Sequence, residues 1–401
     1  MINRRASMIN GIRYYSFAGA CGYGEAALVY MESLHSQGIP ISWSPMIPTA
    51  WGMAPWHMLP DHLRPGLDEM ERSLGGRPGL IQCLGQDIDY DTVFIHTVPE
   101  FWPKLVEPGK ANIGYTVWET DQLPSHWPAM LNCVDRICVP CEFNRKMFTL
   151  EKGAPVSVVP HAVRRSSQQV TEDECRAFRA EHDIAEDMYM FYVISTWDPR
   201  KALPETLNAY LMAFDVNDNV CLLVKTDEEG CYDYSGRRES TREMLDGIIE
   251  NYPKPAKIVL IDSRISDREI LIIHETGDCF YSLTHSEGWG LGAFDAAASG
   301  NPVIITGWGG QLDFLPAENS FHVRYDLMPL QESKGWSSYS KDQNWAYANH
   351  DVAVRQLQYC YRHKQEAKEK GMHLQVFVNN NFSFEQITAS LIGAIDEAHS
   401  S

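Results

Sequence analysis

The stretch from Thr284 to Phe314, T-H-S-E-G-W-G-L-G-A-F-D-A-A-A-S-G-N-P-V-I-I-T-G-W-G-G-Q-L-D-F, allows few folds, because it reads strand, loop, helix, strand, loop, helix. The apolar run Cys279–Leu283 before it is short and bounded by polar residues, as a buried parallel strand should be. Gly288, Gly290 and Gly292 keep the following turn bare, so a ligand can approach the backbone at the strand's carboxyl end. Phe294–Ser299 is Ala-rich and helical, and Gly300-Asn301-Pro302 stops it. The β-branched run Val303–Thr306 makes the next strand. After Gly307-Trp308-Gly309-Gly310, a helix is expected from Gln311, with an N-terminus able to receive an anion.

Glu287 stands in the loop and Asp295 eight residues later, about one turn into the helix. Helical side chains tilt toward the N-terminus, so both carboxylates can point into a pocket above the sheet. Solvated carboxylates at a helix start are the plainer alternative. The spacing inside strand-loop-helix resembles the E-x7-E signature of retaining, nucleotide-sugar-dependent glycosyltransferases of family 4, with Asp in the second acidic position. The resemblance implies that Glu287 lies beside the donor sugar and Asp295 binds the nucleotide ribose. It also implies that Gly288, Trp289, Gly290, Leu291, Gly309 and Gly310 surround the donor.

A chain of 401 residues has room for two domains, and 44% hydrophobic with 22% charged residues is a globular balance. No apolar run approaches the ~20 residues that span a bilayer, and the basic N-terminal stretch lacks an apolar signal core. These readings predict a cytoplasmic protein without stable membrane insertion. Ten scattered cysteines fit a reducing compartment. Cys138-Val-Pro-Cys141 stands without a second pair or a His cluster at zinc spacing, so no metal site is expected. The net charge of −19 is uneven: 14 Lys/Arg and 16 Asp/Glu precede residue 166, against 20 and 37 beyond it. Such a field disfavours nucleic acid and anionic lipid as partners.

In chain order, a strand at Ile12–Phe17 opens into a loop containing Gly22, Tyr23 and Gly24 before a helix to about Ser36. Bare amides at a helix start suit phosphate or sugar hydroxyls. The loop also resembles the first glycine loop of family 4, and the resemblance makes it donor-facing. Ile39–Met46 is a second strand, and residues 46–79 form an irregular region with a helical piece near Asp61–Leu74. His96 ends the strand at Asp91–Pro99, where α/β sheets place ligands. It is either a structural histidine or, as the resemblance suggests, one facing the donor in the catalytic centre.

Strands follow at Asn112–Trp118, Val134–Val139 and Val156–Pro160, so four to six strands alternating with helices make the first half doubly wound. Glu119-Thr-Asp121-Gln-Leu-Pro124 resembles a phrase of bacterial family 4 sequences, placing Glu119 and Asp121 on the acceptor side. In the second half, strands are expected at Met188–Thr196, Val220–Lys225, Lys257–Ile261 and Asn319–Arg324. A loop then runs to about Asn344, and helices follow near His350–Lys370 and Phe384–His399. Lys201 resembles the family lysine on the donor diphosphate, although a surface lysine is the simpler alternative. The family's Gly-Arg is replaced by Ser195-Thr196, so Arg200 is the candidate for the missing charge, with Lys225 as a further donor contact.

The resemblance thus implies a GT-B fold: two Rossmann-like, doubly wound parallel-sheet α/β domains facing each other across a cleft. The expected domains are 1–165, the acceptor side with the helix at about 383–401 packing back onto it, and 166–382, the nucleotide-sugar domain. The implied reaction is metal-independent, retaining transfer of a sugar from a nucleoside diphosphate, UDP- or GDP-sugar by preference, to an acceptor hydroxyl, with no other cofactor. The acceptor would be a glycan, a lipid-linked intermediate or a small molecule rather than nucleic acid. Alternatives are an epimerase or phosphorylase on the same scaffold, or a non-enzymatic subunit that keeps the fold and binds sugar nucleotide or a partner.

Overall fold

The computed structural model of the chain describes residues 9–19, 21–74, 77–164, 169–228, 240–330 and 338–400. The basic N-terminal stretch through Met8, Ala20 of the glycine loop, linker residues 165–168 and part of the late loop (331–337) lie outside them. The chain divides into two compact units. The first comprises Met1–Trp118, Leu123–Arg164 and Phe382–Ser401; the second comprises Glu119–Gln122 and Arg165–Asn381. Residues 119–122, assigned to the first domain on sequence, therefore cluster with the second.

In the first unit, β1 (Ile12–Phe17), β2 (Ile41–Thr49), β3 (Gly52–Pro55), β4 (Thr92–His96), β5 (Ala111–Tyr115), β6 (Arg136–Val139) and β7 (Val156–Val158) form one sheet in the order β3-β2-β1-β4-β5-β6-β7. Every neighbouring pair is parallel except the β2–β3 hairpin. Both β4 and β5 are buried along their whole length, as strands covered on two faces must be. The C-terminal helix Phe384–His399 belongs to this unit. Ser33 Oγ donates to Thr388 Oγ1 at 2.7 Å, His399 Nε2 lies 2.8 Å from Thr92 Oγ1, and Arg136 pairs with Glu397 at 2.9 Å.

The second unit carries β8 (Tyr189–Ile194), β9 (Val220–Lys225), β10 (Lys257–Ile261), β11 (Cys279–Ser282), β12 (Val303–Thr306) and β13 (Phe321–Val323), all parallel, in the order β10-β9-β8-β11-β12-β13. Counted within the unit this is 3-2-1-4-5-6, the doubly wound order. Phe191, Val193, Leu222, Val224, Tyr281 and Ile304 pack with helix residues Leu207, Leu211 and Leu357 into its core. No helix among the described residues is long and apolar enough to cross a membrane.

Local chemistry redraws several expected elements. The helix expected at Phe294 begins at Leu291 and takes in Gly292, where a Cβ would meet Ile194 O at 2.9 Å; this glycine serves helix–strand contact within the helix. The helix expected from Gln311 is only a 3-10 turn, Gly310–Asp313. Gln311 turns its amide back onto Thr306 O and Trp308 O, and Pro316 disfavours helical backbone at Leu315. The late loop contains an antiparallel hairpin, β14 (Tyr325–Pro329) with β15 (Asn344–Ala348). The helix expected over His350–Lys370 breaks at His363 into His350–Arg362 and Lys364–Asn381. The piece near Asp61–Leu74 is a 3-10 turn, Asp61–Leu63, and a short helix, Leu67–Arg72.

Candidate functional site

Strand order reverses between β8 and β11, so the loops leaving their carboxyl ends open onto one crevice, the usual ligand position in such sheets. Asp198 Oδ1 accepts from Arg200 N at 2.9 Å and shapes the turn Pro199–Lys201 after β8. Ala202 then takes a left-handed backbone (φ 49°), which costs an L-residue about 1–2 kcal/mol, before the helix Leu203–Ala213 begins. Arg200 and Lys201 are thereby set at the crevice.

From β11 the chain reaches Glu287 through a loop stitched to that turn. His285 N donates to Arg200 O at 2.8 Å, and Leu283 N donates to Thr206 Oγ1 at 3.0 Å. A third loop joins them, Gly310 N donating to Glu287 O at 2.7 Å. Gly309 makes this approach possible with φ 113°, in a place where a Cβ would sit 2.9 Å from Glu287 O.

The side chains form a charged knot. Lys201 Nζ lies 2.7 Å from both Glu287 oxygens. Arg200 Nη1 donates to Ser286 O at 2.6 Å and to Glu287 Oε2 at 3.2 Å, and its Nη2 lies 3.7 Å from Glu119 Oε1. Thr284 Oγ1 is 3.2 Å from Glu287 Oε1. Burial alone would raise the Glu287 carboxyl, but Lys201 and Arg200 outweigh it and hold the group below the usual glutamate range. Burial, with Arg200 beside it, pulls the Lys201 ammonium below the usual lysine range despite Glu287. For Arg200, burial is overcome by the charge of Glu119 first among its neighbours and the guanidinium is held well above its usual value. The result is a mostly buried arrangement that holds two cations and a carboxylate at the carboxyl end of a doubly wound sheet.

Neither a protein-family profile nor a curated protein matches the sequence. Solved structures do match in shape. Anabaena HepE in complex with UDP and glucose is 11% identical, with a TM-score of 0.64 over 96% of this chain and 99% of its own. Sucrose-phosphate synthase from Thermosynechococcus elongatus is 14% identical, with a TM-score of 0.65 over 98% and 99%. A Rickettsia africae glycosyltransferase is 13% identical, with a TM-score of 0.65 over 98% and 99%. The fold is GT-B.

Within this GT-B chain the sequence candidates scatter more widely than expected. Glu287, Lys201 and Arg200 come together, whereas Trp289 does not face the crevice: it is 3% exposed and packs on Phe294 and Phe314. Gly288 is buried in the loop, and Gly290 (φ 94°) caps the helix that Leu291 starts. Asp295 lies partly exposed on the second turn of that helix. Gly310 spends its N–H on Glu287 O, and the turn it opens is too short to act as a helix dipole. Lys225, at the tip of β9, donates to Thr226 O.

Three further groups take up these places. His96 is 1% exposed, its Nδ1 is 3.0 Å from Tyr14 OH and its ring lies against Tyr115 inside the first unit. Glu119 and Asp121 face second-unit residues: Glu119 accepts from Tyr339 OH at 3.1 Å, and Asp121 accepts from Asn344 N and Nδ2, each at 2.7 Å. Gly22, Tyr23 and Gly24 lie in the first unit, at the start of the helix Gly22–Ser36. There Gly24 N donates to Cys21 Sγ, and Tyr23 OH is 2.9 Å from Thr116 Oγ1. Sequence reasoning missed Thr284, Tyr339 and Asn344; the last two fall in a stretch of sequence without periodicity, and Tyr339 is distant along the chain from Glu119, which it touches. Among the described residues, no group of three or more His, Cys, Asp or Glu could hold a metal ion.

Proposed function

We propose that the chain is a retaining glycosyltransferase of the family 4 type, transferring a sugar from a UDP- or GDP-sugar to an acceptor hydroxyl without a divalent metal. The observation that carries this reading is the convergence of Lys201 and Arg200 on Glu287 at the reversal point of the second sheet. A nucleoside diphosphate needs fixed positive charge as it leaves, and these two side chains supply it in a mostly buried setting. The UDP and UDP-glucose bound by HepE favour a uridine donor.

In the reaction the bond from the anomeric carbon to the diphosphate oxygen breaks and its electron pair stays on the phosphate. The acceptor oxygen bonds the same carbon from the same face, and the acceptor proton passes to the leaving phosphate oxygen. Glu287 would orient the sugar while holding both cations in place. Asp295 would bind the ribose, and residues of the first unit would meet the acceptor, a glycan, lipid-linked intermediate or small molecule. None of the nine described cysteines is paired, which fits work in the cytoplasm.

The test is a donor screen on the purified chain with and without EDTA, following release of UDP, GDP or ADP, alongside Glu287→Gln and Asp295→Asn. One donor should turn over in EDTA. Glu287→Gln should lower kcat by ~10²-fold or more with little change in nucleotide affinity. Asp295→Asn should instead raise donor KM about tenfold through loss of a charge-assisted pair. Full activity in Glu287→Gln would remove this assignment. Interconversion of the donor without acceptor, or turnover only with inorganic phosphate, would replace it with an epimerase or phosphorylase.

A further inference from the structure

A diphosphate arriving at Lys201 and Arg200 meets cations that already have partners. Lys201 is held by both Glu287 oxygens, and Arg200 lies between Glu287 at 3.2 Å and Glu119 at 3.7 Å. The four side chains are only 12% to 20% exposed, so water screens them little. Two positive and two negative charges leave no surplus to attract an anion. A diphosphate added to this set is repelled by the carboxylates about as strongly as it is drawn by the cations, unless one carboxylate withdraws.

The carboxylates are unequally held. Glu287 takes contacts from two cations at 2.7, 2.7 and 3.2 Å and is fixed through its own carbonyl by Gly310 N. Glu119 meets Arg200 beyond hydrogen-bond distance and accepts from the neutral Tyr339 phenol at 3.1 Å. It is nevertheless the charge that Arg200 feels most strongly among its neighbours. The segment carrying it, Glu119–Gln122, is fastened to the stretch leading into β15: Asp121 takes Asn344 N and Nδ2, and Gln122 Nε2 donates to Asp342 O at 3.1 Å. Glu119 is therefore presented to Arg200 by a built attachment while its own hold on the guanidinium stays loose.

We infer that Glu119 is a built-in competitor for the diphosphate: it occupies Arg200 between turnovers, yields the guanidinium when the phosphates arrive, and reclaims it as the nucleotide departs. This rests on the donor site proposed above. It makes Glu119 a residue that lowers nucleotide affinity and speeds product release, the opposite of the substrate contact that its phrase E-T-D suggested.

Calorimetric titration of the full chain with UDP, GDP and inorganic pyrophosphate tests it. Glu119→Gln keeps the shape and an acceptor for Tyr339 but removes the competing charge, so Kd for the preferred nucleotide and for pyrophosphate should tighten by about tenfold. Gln122→Ala loosens the attachment without changing charge and should leave Kd within about twofold. Unchanged or weaker binding by Glu119→Gln, with wild type binding normally, overturns the inference and leaves the donor site standing. An equal gain in both variants also overturns it, since loosening rather than charge would then be responsible. Failure of wild type and Glu119→Gln to bind any of the three ligands removes the donor site together with the inference.

Discussion

The carboxyl ends of β1 and β4 in the first unit and of β8 and β11 in the second occupy equivalent points of two similarly wound sheets, yet they are furnished differently. In the first, buried rings are satisfied by one another, while Glu25 in the first turn of the helix after β1 pairs with Arg77 at 3.4 Å and Arg164 at 3.8 Å. Tyr14 meets His96; Tyr30 OH lies 2.8 Å from Tyr115 OH and 3.1 Å from His161 Nδ1; and Tyr30 and Tyr115 both donate to Val159 O. In the second, Arg200, Lys201 and Glu287 bring formal charges into a comparably buried place. A buried neutral network completes a core, whereas buried charge costs desolvation that the pairing only partly returns. Topology thus offers two equivalent crevices, and in the second two cations converge directly on one buried carboxylate.

Removing Lys201 should break this contrast most severely. Lys201→Ala leaves Glu287 buried with Arg200 as its remaining cation. The expected loss is ~10³-fold in kcat/KM, together with up to ~3 kcal/mol of stability, since one member of a buried pair is gone. Kinetics with the best donor and urea unfolding check the two parts. Retained turnover would mean that the charged knot is only structural.

A medium effect separates the units by pH. Burial, with Arg164 adding to it, lowers the pKa of His161 to about 3, so the folded chain keeps it neutral where the unfolded chain, titrating near 6.5, takes up a proton. Stability from this group is complete above pH ~6.5 and is lost as the pH falls toward about 3, at ~1.4 kcal/mol per pH unit. Glu287 acts in a lower window: its depressed carboxyl contributes above its unfolded value of 4.5 and loses that contribution as the pH falls below it. His161→Asn should therefore lose about 2 kcal/mol less than wild type between pH 7 and pH 5. Parallel stability curves for the two proteins would show that His161 is not kept neutral.

The smallest effect sharpens the same comparison. A Cβ at Gly22 meets nothing within 4 Å, so alanine there tests whether a ligand needs the bare backbone. Gly22→Ala should leave nucleotide Kd within about twofold by calorimetry. A larger loss would place the first glycine loop at the donor.

Most of the fold was legible because buried parallel strands write themselves as short apolar runs: Ile12–Phe17, Val220–Lys225, Lys257–Ile261 and Val303–Thr306 match the observed strands residue for residue. The joining of Glu287 to Lys201 was legible only as far as both follow strands; that they touch depends on strand order, which periodicity does not encode. The two readings of His96 could not be separated on sequence because a strand-end position says nothing about which way the ring turns; here it lies against Tyr14 and Tyr115. The β14–β15 hairpin was missed because its exposed positions, Asp326, Leu327 and Pro329, give no clear apolar alternation. Its link to Glu119 spans 220 residues of sequence.

The discontinuity of the second unit has a consequence for how such proteins can be recombined. Residues 119–122 belong to it, although the chain on both sides of them belongs to the first. An exchange of residues 165–381 between relatives therefore transplants Arg200, Tyr339 and Asn344 without their partners Glu119 and Asp121. A hybrid that carries the four-residue segment along inherits the complete unit, so the natural piece for shuffling is two stretches of sequence rather than one.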